Sequence, residues 1–148
     1  MRIVRATTRH IDQVAVLFDR YRQFYDCAPD IKTANCFIAD RIKSGESIIF
    51  LAEDEVAMGF VQMYPSFCSV DAIRILILYD LYVDELARGK GVGEALMNHA
   101  TEYARTCGIK RIDLQTAKDN SRAQALYTKL GYRRENDNFL TYSLRVPG

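Results

Sequence analysis

Between Ala72 and Val83 the chain carries a nearly continuous apolar run, Ile73, Ile75, Leu76, Ile77, Leu78, Leu81, Tyr82 and Val83, interrupted by Asp80. A run of this length without clean alternation marks a strand buried on both faces, at the centre of a sheet. A carboxylate there is costly unless something compensates it, so Asp80 needs an explanation.

The flanking segments supply the rest of the sheet. Ser47 to Glu53 and Val56 to Tyr64 read as a β-hairpin turning at Asp54-Glu55, with Pro65 to Asp71 as the loop into the apolar run. Downstream, Gly89, Gly91 and Gly93 precede a helix with apolar positions Val92, Leu96, Ala100, Tyr103, Ala104 and Cys107, which Gly108 ends. Ile109 to Thr116 follows as a strand, and Ser121 to Leu130 as a helix capped by Asn120 and terminated by Gly131. At the other end, Ile3 to Ala6 is a short strand. Ile11, Val14, Leu17, Phe18, Tyr21 and Phe24 then recur at helical spacing. Asp26 to Lys32 breaks that pattern, and a shorter helix carries Phe37, Ile38 and Ile42 to Ser44-Gly45. Tyr132 to Arg134 and Phe139 to Arg145 read as a closing strand pair across Asn136-Asp137-Asn138. The whole is a mixed α/β sheet of about seven strands with four helices, antiparallel at first and with a parallel crossover in the middle.

Composition narrows the function classes. A length of 148 residues predicts a single domain over 1–148, and 20 basic against 19 acidic residues give a net charge of only +1. Nothing global therefore draws the chain to nucleic acid or to an acidic membrane, and no apolar stretch reaches the length of a membrane span. The balance is uneven, net −2 up to Val83 and net +3 from Asp84 onward. Such a split suits a phosphate-bearing ligand on the second half and a cationic one on the first. Cys27, Cys36, Cys68 and Cys107 form no C-x-x-C pair and have no histidine at metal-ligand spacing, so no metal is expected. A soluble, reduced, cytoplasmic protein is the expectation.

The stretch Arg88-Gly89-Lys90-Gly91-Val92-Gly93-Glu94 carries the most chemistry. Alternating glycines before a helix leave backbone amides uncovered where the helix dipole favours negative charge, which makes a pyrophosphate cradle. A Walker A loop is excluded, because no Gly-Lys-Ser/Thr follows four intervening residues. A dinucleotide fingerprint fits only in part, because Leu96 stands where its third glycine belongs. Arg88-x-x-Gly91-x-Gly93 instead resembles the Arg/Gln-x-x-Gly-x-Gly/Ala loop of the GNAT family of N-acetyltransferases. Asn120-Ser121-x-Ala123-x-x-Leu126-Tyr127-x-x-Leu130-Gly131-Tyr132 resembles that family's second motif, and the element order over essentially the whole chain is similar to its fold. Leu78 to Val83, followed by Arg88 to Gly93, looks closest to the spermidine/spermine and thialysine acetyltransferase branch and to its small histone- and polyamine-acetylating relatives. Tyr79 stands where the polyamine enzymes carry an acid.

The resemblance implies a GNAT fold splayed at its central strands to admit coenzyme A, and acetyl transfer from acetyl-CoA to a primary amine. In that scheme Leu81, Tyr82 and Val83 pair with the pantetheine arm like an added strand, Arg88 to Glu94 hold the pyrophosphate, and Asn120 contacts pantetheine or caps its helix. Tyr127 is the candidate general acid, since a phenol is protonated at neutral pH and can give its proton to a thiolate. Asp80 takes the amine's proton, anchors a cationic substrate, or serves only as a bulge residue. Tyr21, Tyr25, Asp26 and Tyr79 are candidate walls of the acceptor site, where acidic and aromatic groups suit an ammonium. The acceptor expected is a small cationic metabolite, polyamine or lysine-like, with a protein lysine or N-terminus, or a non-catalytic coenzyme A sensor, as alternatives. A homodimer through Phe139 to Leu144 is the expected partner state.

Overall fold

The computed structural model describes residues 1–135 and 138–148. In order it forms β1 (Arg2–Arg5), α1 (Ile11–Phe24), α2 (Ile31–Lys43), β2 (Ile48–Glu53), β3 (Ala57–Cys68), β4 (Ile73–Val83), α3 (Val92–Thr106), β5 (Arg111–Leu114) and α4 (Ser121–Lys129). Residues 1–115 make one compact unit and residues 116–148 a second.

Within the first unit the strands lie in the order β1-β2-β3-β4-β5, antiparallel except for the parallel β4–β5 pair. β2 is buried along its whole length, and its alternating side chains serve two layers. Ile49 and Leu51 join Val14, Leu17, Phe18, Ala34 and Ile38 in a core against α1 and α2. Phe50 points the other way, 5.6 Å from the Tyr103 ring of α3, whose Leu96, Met97 and Ala100 are fully buried. The sheet is thus sandwiched between α1/α2 and α3. No helix among the described residues is long and apolar enough to cross a membrane.

Three expectations need correction. β3 runs on through Pro65 to Cys68, where Pro65 pairs with Leu76, so the loop before β4 is shorter than Pro65 to Asp71. α2 begins at Ile31 because the Asp30 side chain accepts the Thr33 amide at 3.1 Å and caps it, a signal masked by the preceding Pro29. The sheet has five strands among the described residues rather than about seven. Tyr132 to Arg134 and Phe139 to Arg145 form no ladder there, and Phe139, Leu140, Tyr142 and Leu144 are exposed. Alternating apolar residues give only a tendency, and a strand needs a partner to pair with. In the turn anticipated between them, Asn136 and Asp137 lie outside the described residues.

Candidate active site

The site begins with a one-residue irregularity in β4. Met63 of β3 pairs with Leu78, but the next residue, Gln62, pairs with Asp80, leaving Tyr79 as an extra residue in a β-bulge. Regular pairing would have set Gln62 opposite Tyr79; the bulge puts a carboxylate beside an amide instead. Gln62 Nε2 donates to Asp80 Oδ2 at 2.7 Å, and Ser47 Oγ donates to Gln62 Oε1 at 2.8 Å. All three residues are buried, so this chain from the residue before β2 through β3 to β4 fixes the carboxylate's orientation.

The electrostatics follow from burial. Desolvation holds the Asp80 carboxyl above the ordinary carboxylate range, partly offset by the Gln62 hydrogen bond and by the nearby Tyr21 hydroxyl. The Tyr21 hydroxyl donates to the Tyr79 carbonyl at 3.2 Å, and its own burial and the nearby Asp80 push it well above the usual phenol value. Burial, then Asp80, likewise pushes Tyr64 up to about 12. Two phenols that stay protonated therefore lie near one carboxylate that holds its proton more tightly than a free one, which makes it a stronger base than an exposed carboxylate. Asp80 opens into a cleft of about 590 Å³ whose other walls include Phe18, Phe37, Arg41, Tyr64 and Tyr79.

Beyond the bulge β4 becomes a half-paired strand. β5 pairs only with Ile75 to Leu78, while Leu81, Tyr82 and Val83 continue against Val61, Phe60 and Gly59 of β3 alone. No strand covers the opposite edge of Leu81 to Val83 among the described residues, which is the splay anticipated from the sequence. Gly59 permits the close packing at this end, because a Cβ there would lie 2.7 Å from the Tyr82 carbonyl oxygen.

Five residues later the chain reaches the glycine loop. Gly91 is the N-cap of α3 in the left-handed conformation, φ 77°, and offers no side-chain cap. Consequently the amides of Gly91, Val92 and Gly93 have no hydrogen-bond acceptor among the described residues, as an anion cradle requires. Gly89 also has positive φ, 78°, with open space around it. Lys90 is exposed, and Glu94 lies in the first turn of α3. Arg88 has a second task, for its Nε donates to the Val83 carbonyl at 3.0 Å and its guanidinium lies 5.7 Å from the Tyr82 ring centroid. It ties the loop to the open end of β4.

In the second unit, Asn120 Oδ1 accepts the Ala123 amide at 3.2 Å and caps α4. Tyr127 is half-buried on that helix, its ring 5.9 Å from Tyr132. Among the candidate acceptor residues, Tyr79 and Asp80 line the cleft and Tyr21 is bonded to the bulge carbonyl. Tyr25 packs edge-on against Tyr21 with centroids 5.2 Å apart, whereas Asp26 occupies a left-handed turn after α1, φ 65°, and is not one of the residues lining the cleft. Sequence reasoning did not single out Ser47, Gln62, Gly59, Arg41 or Glu46. The i,i+4 spacing of Phe37 and Arg41 was the one available signal.

An open-edged strand followed by an amide cradle on a layered α/β scaffold matches what the comparisons find. Residues 11–132 match the acetyltransferase (GNAT) family. The chain is 42% identical over 148 residues to an uncharacterized N-acetyltransferase, YhfO, of Bacillus subtilis, covering 99% of each. It is 33% identical over 107 residues, 71% of this chain and 66% of the relative, to the D-amino-acid N-acetyltransferase HPA3 of Saccharomyces cerevisiae. Among solved structures, a probable acetyltransferase superposes with a TM-score of 0.88 at 39% identity, over 100% of this chain and 99% of the other. The protein belongs to the GNAT family and has its fold. It is an N-acetyltransferase, and the family's co-substrate is acetyl-CoA.

Proposed function

We propose that the protein acetylates the primary amine of a small cationic metabolite, polyamine or lysine-like, by direct attack in a ternary complex with acetyl-CoA. The observation that carries this reading is the double use of β4: its bulge buries Asp80 at a cleft, and the next three residues have an edge that no strand among the described residues pairs, leading to the amide cradle. An amine in the cleft and a thioester along that edge would meet beside the carboxylate. The whole chain, 1–148, would act as one acetyltransferase domain.

In this scheme the amide cradle at Gly91 to Gly93 binds the pyrophosphate, Arg88 holds the loop against β4, and Leu81 to Val83 pair with the pantetheine arm. The amine nitrogen attacks the thioester carbon, forming the N–C bond as the C–S bond breaks. Asp80 takes the proton lost by nitrogen, directly or through water, and Tyr127 gives one to the departing thiolate. The role of Tyr127 rests on its place in the motif from Asn120 to Tyr132. The excess of acidic residues before Val83 and the aromatic walls of the cleft support a cationic acceptor. The yeast relative's description as a D-amino-acid N-acetyltransferase supports an acceptor of metabolite size.

Release of free thiol from acetyl-CoA, measured across polyamines, amino acids and lysine-containing peptides, tests the reaction. Turnover should be confined to small amines, and Tyr127→Phe should lower kcat by about 10²–10⁴-fold while leaving coenzyme A affinity within a few-fold. Full activity in that variant removes Tyr127 as the acid. Binding of coenzyme A without turnover on any amine makes the protein a sensor.

Two further assignments accompany this function. Four unpaired cysteines suit a reducing compartment, so the cytoplasm is the compartment we propose. The exposed Phe139, Leu140, Tyr142 and Leu144 support a homodimer, because pairing this segment with a second copy would cover them. Sedimentation should give a mass near twice 16.9 kDa, reduced by Leu140→Lys with Tyr142→Lys, and a monomeric wild type would refute it.

A further inference from the structure

One cation in the cleft is unexplained by a purely cationic acceptor. Arg41, on α2, lines the same cleft as Asp80, and its side chain is only 21% exposed. Its Nε donates to Glu46 Oε1 at 3.1 Å, and its guanidinium lies 4.4 Å from the Phe37 ring centroid, so its plane is held from two directions. The two terminal nitrogens of the fork have no acceptor among the described residues. Tyr64 also lines the cleft, and its hydroxyl responds to both charges, raised by Asp80 and lowered by Arg41.

A mostly buried guanidinium with its parallel N–H groups unpaired matches a carboxylate in geometry and charge. It would repel an acceptor that is cationic throughout. We propose that Arg41 forms a carboxylate subsite, and that the acceptor is an amino acid bearing a second, side-chain amine: one amine sits at Asp80 and the carboxylate sits on the Arg41 fork. The three charged side chains of the cleft, Arg41, Glu46 and Asp80, sum to one negative charge, which complements a diamino carboxylic acid with its single net positive charge. The proposal rests on the function argued above and selects its lysine-like branch over its polyamine branch.

The experiment measures thiol release with lysine and ornithine, each against its carboxamide and its decarboxylated diamine, so that only the carboxylate varies. Wild type should favour at least one of the two acids over its amide and diamine by roughly tenfold or more in kcat/KM. Arg41→Met should lower kcat/KM on that acid by about 10–100-fold, mostly through KM, and leave the amide and diamine unchanged or improved. Arg41→Lys, with the charge but not the fork, should fall between. Equal turnover of acid, amide and diamine by wild type overturns the subsite, as does an equal loss on all of them in Arg41→Met, which would mark Arg41 as a packing residue only. If other amines are acetylated and both of these amino acids are refused, the subsite is wrong and the acetyltransferase reading stands. If no amine at all releases thiol, that reading fails and the subsite fails with it.

Discussion

The two halves of β4 are one strand with two employments. From Ile75 to Leu78 it is paired on both sides, and Ile75, Leu76 and Leu78 are buried. From Tyr79 to Val83 it is paired on one side only, carries a bulge and a buried carboxylate, and leaves half its backbone groups without a ladder. The first half satisfies every demand of a central strand, and the second violates several in succession. Violations grouped on five residues beside a cleft mark where stability has been exchanged for function.

The sharpest way to test that contrast is Asp80→Asn. Acetylation should fall by about 10²–10⁴-fold in kcat/KM if the carboxylate takes the amine's proton, while coenzyme A affinity is retained. Stability should move the opposite way. Because burial raises the folded-state pKa of Asp80, the folded protein holds this proton at pH values where the unfolded chain has released it. The group's favourable contribution is then complete below the ordinary carboxylate range and is lost as pH rises through the raised value. Asp80→Asn removes that loss, so its melting temperature should exceed wild type at neutral pH and depend less on pH between those limits. An inactive variant with lowered stability would mean that Asp80 is structural.

Leu76→Ala strikes the other half. Leu76 is 1% exposed, and its truncation should cost about 2–5 kcal/mol in denaturant unfolding. Activity per folded molecule should stay near wild type below the unfolding transition. A large drop in kcat with little loss of stability would erase the distinction between the halves.

The first half of β4 was far easier to read in the sequence than the second. Ile75, Leu76 and Leu78 announce a buried strand by composition, and Gly89 and Gly91 announce the cradle because few other residues hold φ near 77° without strain. Asp80 was conspicuous as a charge in apolar surroundings. Its partners were not, because Ser47 and Gln62 acquire their roles only through register: a polar residue in a hairpin is ordinary until a bulge in the neighbouring strand brings a carboxylate opposite it. Arg41 was hidden for a similar reason, since a basic residue on an amphipathic helix is normally solvated. The expected C-terminal strands are missing among the described residues for the converse reason, since alternation from Phe139 to Arg145 was legible while the presence of a pairing partner was not.

Gln62→Met gives the smallest and most specific effect, and it acts on the joint between the halves. The change keeps a similar volume in a fully buried position but removes the amide that donates to Asp80 and accepts from Ser47. Stability should fall by about 1–3 kcal/mol, because the buried Ser47 and Asp80 lose their partner. The informative readout is the pH profile. The Gln62 amide stabilises the ionised carboxylate and lowers the Asp80 pKa against the upward pull of burial, so its removal takes away the larger of the two opposing contributions, leaves Tyr21 alone against burial, and raises that pKa further. The acidic limb of kcat/KM, which climbs as Asp80 ionises, should therefore shift to higher pH in Gln62→Met, while the rate at the alkaline plateau changes much less than in Asp80→Asn. A limb that stays in place assigns the titration to another group and separates the bulge from the chemistry, whereas a shifted limb shows that the register of β3 against β4 sets the protonation of the base.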